Sequence, residues 1–377
     1  MINPDTLRCT TLLSCLIAVP GLAAANPLPA AEPQGAPWRL EDLPRDNDEH
    51  LNISAIAMTK DRKLMLLGSD EQTAVQVLLQ QGDGAYRLAG DGNLALADPG
   101  ETEIDIEGIA RDGNRYWVIG SHSLKRKRLK DAEELRERQA HGKRTPADYN
   151  HRRLGTVVPE PTREWLYLLA IDENGRVDAS SRARGSLRDI FANHPVLSAF
   201  RSIPSKENGI DIEGLAIGPD GGGRKKTQLL VGLRGPVLRG PAPRAVVLVV
   251  EAKRKGETLE IELEDTRYLA LGGRGIRGMG RIPGGPRGYL VLAGPVGEAP
   301  VSYQVYLWDG EDSIPEIGDL DAEAHVRALC EVPPPMGSPR AKAEGIHVLE
   351  TDADAVDFVV VYDSAPDGGA TRFRCRL

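Results

Sequence analysis

The stretch Ile106-Glu107-Gly108-Ile109-Ala110 is the strongest indication of the fold, because altered copies of it recur along the chain. The other copies are ISAIA at 53–57, IEGLA at 212–216, IRGMG at 276–280 and AEGIH at 343–347. Each copy precedes a turn, a second apolar run and a third apolar run, and more polar segments supply a fourth strand. A repeated unit of four short strands, with the innermost strand most apolar, is typical of a propeller blade. The sequence therefore predicts an all-β protein of the β-propeller class.

The number and spacing of the copies predict five four-stranded blades. The interval between the second and third copies is much longer than that between the first and second, which leaves room for a sixth blade. We favour a charged, partly helical insertion at 124–160, between the second and third strands of the second copy. Its mixed charge at 131–138 is typical of a solvated helix face, with a basic anion-binding arm as the alternative. The last copy lacks a fourth strand, and we expect residues 38–43 to supply it and close the ring.

The composition limits the classes of partner. The 377 residues carry a formal net charge of −8, whereas a general nucleic-acid binder needs a basic surface. We therefore expect no nucleic-acid partner. The net charge does not exclude a small anion, because a local cluster of arginines can override it.

The N-terminus has the pattern of a cleavable signal peptide at residues 1–25. An apolar run at 11–19 follows Arg8, and a small-residue site predicts cleavage after Ala25. We expect a periplasmic or secreted protein with a Pro/Ala-rich linker at 26–37 and a propeller domain at 38–377. No later segment has about 18 uninterrupted apolar residues, so we expect no transmembrane segment.

Two cysteines remain once such a signal peptide is removed. Cys330 and Cys375 can form one disulfide in an oxidising compartment. The alternative is two separately buried thiols, since free cysteine packs as a small apolar side chain. The sequence favours neither arrangement.

The connectivity of a blade predicts where functional side chains gather. In an antiparallel meander, the first strand starts and the second strand ends on the same face of the disc. First strands line the central channel, so that face has a mouth to which every blade contributes. The first-strand set is Ser54, Glu107, Glu213, Arg277 and Glu344, with Asp105 and Asp211 two residues before their glutamates. The second-strand set is Asp70, His122, Arg234, Pro295 and Asp363.

Two chemistries suit such a mouth. The first is binding of a small anion or of a divalent cation such as Ca²⁺, which takes six to eight oxygen ligands. The second is general acid–base catalysis. The predicted metal ligands are Asp105, Glu107, Asp211 and Glu213. The predicted ligand-binding residues are Asp70, Arg234, Arg239, Arg277, Glu344 and Asp363. The catalytic candidates are Glu107, Glu213 and His122.

The same residues also have a structural interpretation, which we weigh more heavily. Each glutamate would accept backbone N–H groups from the adjoining blade, and the glycine after it would allow close approach near the axis. Arg277, which replaces glutamate in the fourth copy, would then be an ion partner of its neighbours. We expect His122 to be a hydrogen-bonded structural residue.

Three kinds of segment resemble a known bacterial family. They are the Asp-Ile-Glu-Gly copies at 105–108 and 211–214, Gly-Ser-His-Ser at 120–123, and the Gly/Arg-rich segment at 232–240. Together they resemble the family catalogued as domain of unknown function 3616, over roughly residues 51–377. The resemblance implies a propeller and no established activity. More distantly, the Glu-Gly strands are similar to the phytase-like esterase propellers, from which no catalytic residue carries over.

Two functional classes are compatible with these observations. We expect an exported propeller that binds a small anionic ligand or a divalent metal at the channel mouth. If it is an enzyme, the expected reaction is hydrolysis of ester or phosphoester bonds. The alternative is a non-catalytic interaction or structural propeller of the cell envelope. Propellers host both classes, so the fold does not choose between them.

Overall fold

Strands dominate the structure, as the repeats predict. The computed structural model describes residues 27–45, 50–98, 100–222, 226–240, 242–284, 288–297 and 301–377, so the predicted signal peptide lies outside the described residues. The strands are β1 (Glu32–Pro33), β2 (Leu40–Glu41), β3 (Ile53–Met58), β4 (Leu64–Ser69), β5 (Ala74–Gln80), β6 (Tyr86–Ala95), β7 (Ile106–Asp112), β8 (Arg115–Gly120), β9 (Leu124–Arg126), β10 (Val157–Pro159), β11 (Leu166–Ile171), β12 (Val177–Gly185), β13 (Asp211–Gly222), β14 (Lys226–Gly235), β15 (Ala245–Lys255), β16 (Thr258–Leu269), β17 (Gly275–Arg281), β18 (Tyr289–Gly294), β19 (Gln304–Trp308), β20 (Val326–Glu331), β21 (Lys342–Thr351), β22 (Ala355–Asp363) and β23 (Thr371–Arg376). The α-helices are α1 (Ala132–Ala140), α2 (Tyr149–Leu154) and α3 (Arg188–Asn193).

The strands form antiparallel meanders arranged around a central axis. From the axis outward, the units are β3-β4-β5-β6, β7-β8-β11-β12, β13-β14-β15-β16, β17-β18-β19-β20 and β21-β22-β23-β1, here numbered one to five. The innermost strands contact one another in the closed cycle β3, β7, β13, β17, β21 and back to β3. This arrangement is a β-propeller, which confirms the predicted fold class.

The hydrophobic core is divided among the interfaces between adjacent units. Side chains alternate along a strand, so each strand packs against both of its neighbouring units. On β15, Val246 and Leu248 pack towards unit two, while Val247 and Val249 pack towards unit four. Equivalent clusters fill the remaining interfaces, including the one that joins unit five to unit one. Burying each such side chain contributes about 1.5–3 kcal/mol, so the ring is stabilised at every interface.

The N-terminal segment closes the ring, but not through the residues that we expected. Residues 38–43 were expected to supply the outer strand of unit five, whereas β2 within them pairs in parallel with β6 of unit one. The outer strand of unit five is β1, which pairs with β23 and lies within the expected linker. Ala31 anchors it, because this side chain is buried and its N–H donates to the carbonyl of Glu331 at 2.7 Å. Pro33 suits an outermost strand, since it has no N–H to donate.

The long interval between the second and third copies contains an insertion and α3. The insertion consists of β9, α1, α2 and β10, and it lies between the second and third strands of unit two. Helix α1 starts with a capping box, in which Asp131 and Glu134 exchange hydrogen bonds with each other's backbone N–H groups. Neither α1 nor α2 has a buried residue. A solvated helix face therefore describes this segment.

A disulfide joins units four and five. Cys330 on β20 is bonded to Cys375 on β23, with a Cα–Cα distance of 6.2 Å. The structure thus selects the disulfide over two separate thiols.

Candidate functional site

The five first-strand residues occupy the same structural position in every unit. In each unit, the pairing of the first two strands skips one residue, which is the position of a β-bulge. The skipped residues are Ser54, Glu107, Glu213, Arg277 and Glu344. A bulge leaves its extra residue outside the ladder and changes the direction of its side chain. The repeated motif is therefore a ring of bulges around the channel.

In four of the five units a glycine follows the bulge residue and allows neighbouring first strands to approach closely, whereas in unit one this position is Ala55. A Cβ atom at Gly278 would lie 2.8 Å from the carbonyl oxygen of Glu344, and one at Gly214 would lie 2.9 Å from Met279. A Cβ atom at these distances would clash with its neighbours, so a residue larger than glycine would force the strands apart. The structural interpretation of the Glu-Gly repeat is supported in this respect.

A buried chain of ion pairs connects three units at the mouth. The Nη1 atom of Arg277 lies 2.8 Å from a carboxylate oxygen of Glu213, and its Nη2 atom pairs with Glu344. Arg234 binds the other side of Glu213 at 2.5 Å and also pairs with Asp211. Burial raises the pKa values of Glu213 and Glu344, and the arginines oppose that rise. The glutamates are thus bound by arginine, rather than by the backbone N–H groups that we expected.

Asp105 belongs to a second buried network. Its Oδ2 atom accepts hydrogen bonds from the hydroxyls of Ser121 and Ser123 and lies 2.5 Å from Nη1 of Arg163. The Arg163 side chain is only 3% exposed and also pairs with Glu103. An arginine this deeply buried needs several acidic or polar partners, so the network fixes the loop that precedes β7.

Asp70 and Glu107 differ from the other acids at the mouth. Neither carboxylate has a hydrogen bond or ion pair with any described residue, and the Oδ1 atom of Asp70 is buried without a partner. Burial, together with the nearby acids Glu344, Asp105 and Asp363, raises the pKa of Asp70 to about 9. Burial and then the charge of Glu213 raise the pKa of Glu107 well above its ordinary value. Asp70 therefore holds a proton at neutral pH, and the environment of Glu107 favours its protonated form.

His122 is a structural residue, as we expected, and it is poorly placed for catalysis. Its Nδ1 atom lies 2.9 Å from the carbonyl oxygen of Gly120, and its Nε2 atom accepts the N–H of Leu187 at 3.3 Å. Its ring also packs edge-on against Phe191. Burial lowers the pKa of His122 to about 4, so the imidazole is neutral and both nitrogens are engaged. The catalytic role predicted for His122 is not supported by this geometry.

The remaining predicted ligand-binding residues do not form one cluster of free groups. Asp363 pairs with Nζ of Lys342 at 2.6 Å. Arg239 is exposed and has no hydrogen bond or ion pair with the described residues. Pro295 is partly buried and has no side-chain polar group. Because Arg234 and Arg277 are committed to carboxylates, the arginines of this mouth are poorly available to an anion.

The predicted metal site also lacks support in the described part of the chain. There, no group of three or more His, Cys, Asp or Glu side chains has a geometry that could hold a metal ion. The physical reason is that Asp105, Asp211 and Glu213 are already neutralised by buried arginines. Of the four predicted ligands, only Glu107 keeps a carboxylate without a partner among the described residues.

Three residues at the mouth were not predicted from the sequence: Arg163, Tyr303 and Lys342. A Cβ atom at Gly294 would lie 2.6 Å from the ring of Tyr303 and 3.0 Å from Arg277, so the tyrosine borders the ion-pair chain. The sequence did contain a feature that could have identified Arg163 and Tyr303. The third strand of a meander starts on the same face as the first, and Arg163 and Tyr303 lie just before the third strands β11 and β19.

Fold and site together define a β-propeller with a carboxylate-rich channel mouth that buried arginines neutralise in part. The chain belongs to the family described as protein of unknown function DUF3616, whose model matches residues 52–372. The resemblance seen in the three segments is thereby confirmed. A comparison with curated proteins finds no match.

Several solved structures are similar to this chain at low identity. An exo-β-1,3-galactanase from Phanerochaete chrysosporium is 9% identical with a TM-score of 0.40, over 92% of this chain and 64% of the galactanase. An α-L-arabinofuranosidase from Fusarium graminearum is 9% identical with a TM-score of 0.40, over 91% of this chain and 97% of the other. The WD40 domain of SCAP from fission yeast is 10% identical with a TM-score of 0.31, over 84% and 61%. This chain thus spans less than two thirds of the galactanase.

Among the described residues, no helix has the length and the apolar character needed to cross a bilayer.

Proposed function

We propose that the protein binds a small cationic ligand at the channel mouth through Asp70 and Glu107. The observation that carries this proposal is that these two carboxylates have no partner in the described part of the chain, whereas the acids around them are paired. After burial, the negative charges of neighbouring acids contribute to the raised pKa values of both groups, and the same charges would attract a cation. An amine or a metal ion can replace the protons on these two carboxyl groups. An anion is less favoured, because Arg234 and Arg277 are already paired with carboxylates.

The pH dependence of binding tests this proposal. A cation that displaces protons from Asp70 and Glu107 binds more tightly as the pH rises from about 6 to about 8.5, and it releases protons as it binds. Isothermal titration with CaCl₂ and with putrescine, in buffers of different ionisation enthalpy, measures both quantities. The expected result is saturable binding of one of these probes with proton release.

Three variants locate the binding site. Asp70→Asn and Glu107→Gln keep the side-chain shape and remove the charge, so each should weaken binding by about tenfold or more. The matched control is Glu71→Gln, which removes an exposed acid next to Asp70 in the chain. Absence of binding by every probe, or equal affinity of Glu107→Gln and the unchanged protein, would contradict the proposal.

A second candidate function is hydrolysis, favoured by the raised pKa of the buried Glu107. A carboxylic acid with a raised pKa can protonate a leaving group, which is the role of a general acid. The substrates to test are p-nitrophenyl acetate and p-nitrophenyl phosphate, as simple ester and phosphoester probes. Turnover that Glu107→Gln abolishes would support an enzyme. Absence of turnover, together with retained ligand binding, would support the non-catalytic alternative.

We also propose that the protein is exported to the periplasm or the cell exterior. The pattern at residues 1–25 motivates this proposal, and the Cys330–Cys375 disulfide is compatible with an oxidising compartment. Expression of the full chain, followed by fractionation and N-terminal sequencing, tests it. We expect a mature N-terminus at Asn26, and an uncleaved chain in the cytoplasm would refute export.

A further inference from the structure

The channel has a second opening whose charge is opposite to that of the carboxylate-rich mouth. Arg111 lies four residues beyond Glu107 on β7, and Arg281 lies four residues beyond Arg277 on β17. Four residues of strand correspond to about 13 Å, so these arginines lie at the other ends of the first strands. A cavity of about 470 Å³ lies there, and units one, two, four and five contribute to its lining.

Basic side chains dominate this second opening. Lys60, Arg62, Arg111 and Arg281 line the cavity, and Glu350 is the acidic residue among its described lining. Glu350 lies 2.9 Å from Arg62 and 2.8 Å from Arg372, so its charge is already neutralised. The opening therefore carries an excess of positive charge in a protein whose net charge is negative.

Two of these arginines have no acidic partner among the described residues. The Nε atom of Arg111 is buried without a hydrogen-bond acceptor. Arg281 donates to the backbone carbonyls of Gly218 at 3.1 Å and Pro219 at 3.3 Å. Carbonyl oxygens leave a guanidinium charge uncompensated, and an unpaired buried donor destabilises the folded state. This contrasts with the mouth, where Arg163, Arg234 and Arg277 are each paired with carboxylates.

His347 also lines this cavity, and its pKa reflects the positive charges there. Burial, followed by the positive charges of Arg111 and Arg62, lowers its pKa to about 4. The imidazole is consequently neutral at physiological pH, and the described residues provide no hydrogen-bond partner for it. It can donate a hydrogen bond to a ligand without adding charge.

We propose that this second opening is a binding site for a small, multiply charged oxyanion, an organic phosphate or a polycarboxylate. Arginine presents several N–H donors in a planar fork that fits the oxygens of both groups. Arg111 and Arg281 come from units two and four, so a ligand with two or more anionic groups can contact both. The cavity volume falls within the range of small-molecule sites.

The proposal is tested by thermal shift and calorimetry with pyrophosphate and with citrate as the two probes. Sodium chloride at the same ionic strength separates specific binding from general salt effects. We expect saturable stabilisation by at least one probe, and the responding probe identifies phosphate or carboxylate as the preferred group. Arg281→Met should weaken binding by about tenfold or more, and a second substitution, Arg111→Met, should weaken it further.

Two control variants distinguish binding at this opening from binding at the opposite mouth and from a general effect of surface charge. Lys63→Met removes an exposed lysine of the adjoining surface, 3.8 Å from Asp61, and should leave anion binding unchanged. Glu107→Gln alters the opposite mouth and should also leave it unchanged, so this proposal and the cation-binding proposal can fail separately. The assignment would be overturned if neither pyrophosphate nor citrate stabilised the protein. It would also be overturned if a probe stabilised the Arg111→Met/Arg281→Met double variant as much as the unchanged protein. Arg281 is exposed and bonds only backbone carbonyls among the described residues, so its single variant is expected to fold.

Discussion

Replacement of Arg277 by methionine should destabilise the propeller through the acids that it leaves behind. The Arg277 side chain is 3% exposed and lies between Glu213 and Glu344. Methionine has a similar length and no charge, so the substitution removes the cation with little change in packing. Glu213 keeps Arg234 as a partner, whereas Glu344 loses the cation that neutralises it.

The expected loss follows from the geometry of the ion pair. At 2.8 Å and an effective dielectric constant of about 20, the attraction between Arg277 and Glu213 is about 6 kcal/mol before desolvation is subtracted. Desolvation offsets part of that attraction, and removal of one partner from a buried pair costs about 3–5 kcal/mol. We therefore expect the free energy of unfolding to fall by about 3–5 kcal/mol at neutral pH. The loss should shrink as the pH falls, because the unpaired carboxyl of Glu344 then takes up a proton.

Equilibrium urea unfolding, followed by tryptophan fluorescence, measures this loss. Trp117 and Trp308 are fully buried and report on units two and four. The double variant Arg277→Met/Glu344→Gln should recover at least half of the lost stability, because it removes the uncompensated charge. Arg136→Met, at an exposed position of α1, is the surface control and should change stability by about 0.5 kcal/mol or less.

Two results would refute this reasoning. The first is a loss below about 1 kcal/mol in Arg277→Met, which would mean that the buried pair is replaceable by solvent. The second is a large loss that Glu344→Gln does not relieve and that does not change with pH. In that case the arginine would act through packing rather than through charge.

Three further predictions concern pH and covalent structure. Because folding raises the pKa of Asp70 to about 9, the folded state holds a proton that the unfolded state loses near pH 4, so stability falls as pH rises between these values. Asp70→Asn should flatten this slope, which is at most about 1.4 kcal/mol per pH unit, and an unchanged slope in urea titrations would count against the shift. Folding lowers the pKa values of His122 and His347 to about 4, so stability should be lost as pH falls from about 6.5 towards 4, by about 2 kcal/mol per histidine at pH 5. His122→Gln should lessen this acid sensitivity in the same assay, and equal sensitivity would show that His122 is not the source. The Cys330–Cys375 disulfide closes a loop with a sequence separation of 45. Its removal in Cys330→Ala/Cys375→Ala should reduce the free energy of unfolding by about 2–4 kcal/mol and so lower the thermal midpoint. An unchanged midpoint under non-reducing conditions would refute this prediction.

Repeats and turn residues were sufficient to predict the propeller and the positions that surround its axis. Alternation of apolar residues, turn residues and the recurring Glu-Gly motif are local features, and each unit forms its meander from contiguous chain. For the same reason, the sequence predicts that one residue of each unit occupies an equivalent place: Ser54, Glu107, Glu213, Arg277 and Glu344. The β-bulge that fixes each of them was not predicted, because a bulge is a property of pairing with the second strand.

The pairing of the charged groups, by contrast, could be known only from the folded chain, which shows which of them are bound and which remain available. Arg277 lies 64 residues from Glu213 and 67 residues from Glu344 in the chain, and no local pattern specifies that it contacts both. Placement of β1 on β23 and the position of Arg163 against Asp105 likewise depend on ring closure and on contacts between elements far apart in sequence. Whether a carboxylate is neutralised depends on distances of a few ångströms between such elements, because buried charges interact strongly only at contact. The ring could therefore be predicted from the sequence. The folded structure was needed to identify the two acids and the two arginines that have no oppositely charged partner among the described residues.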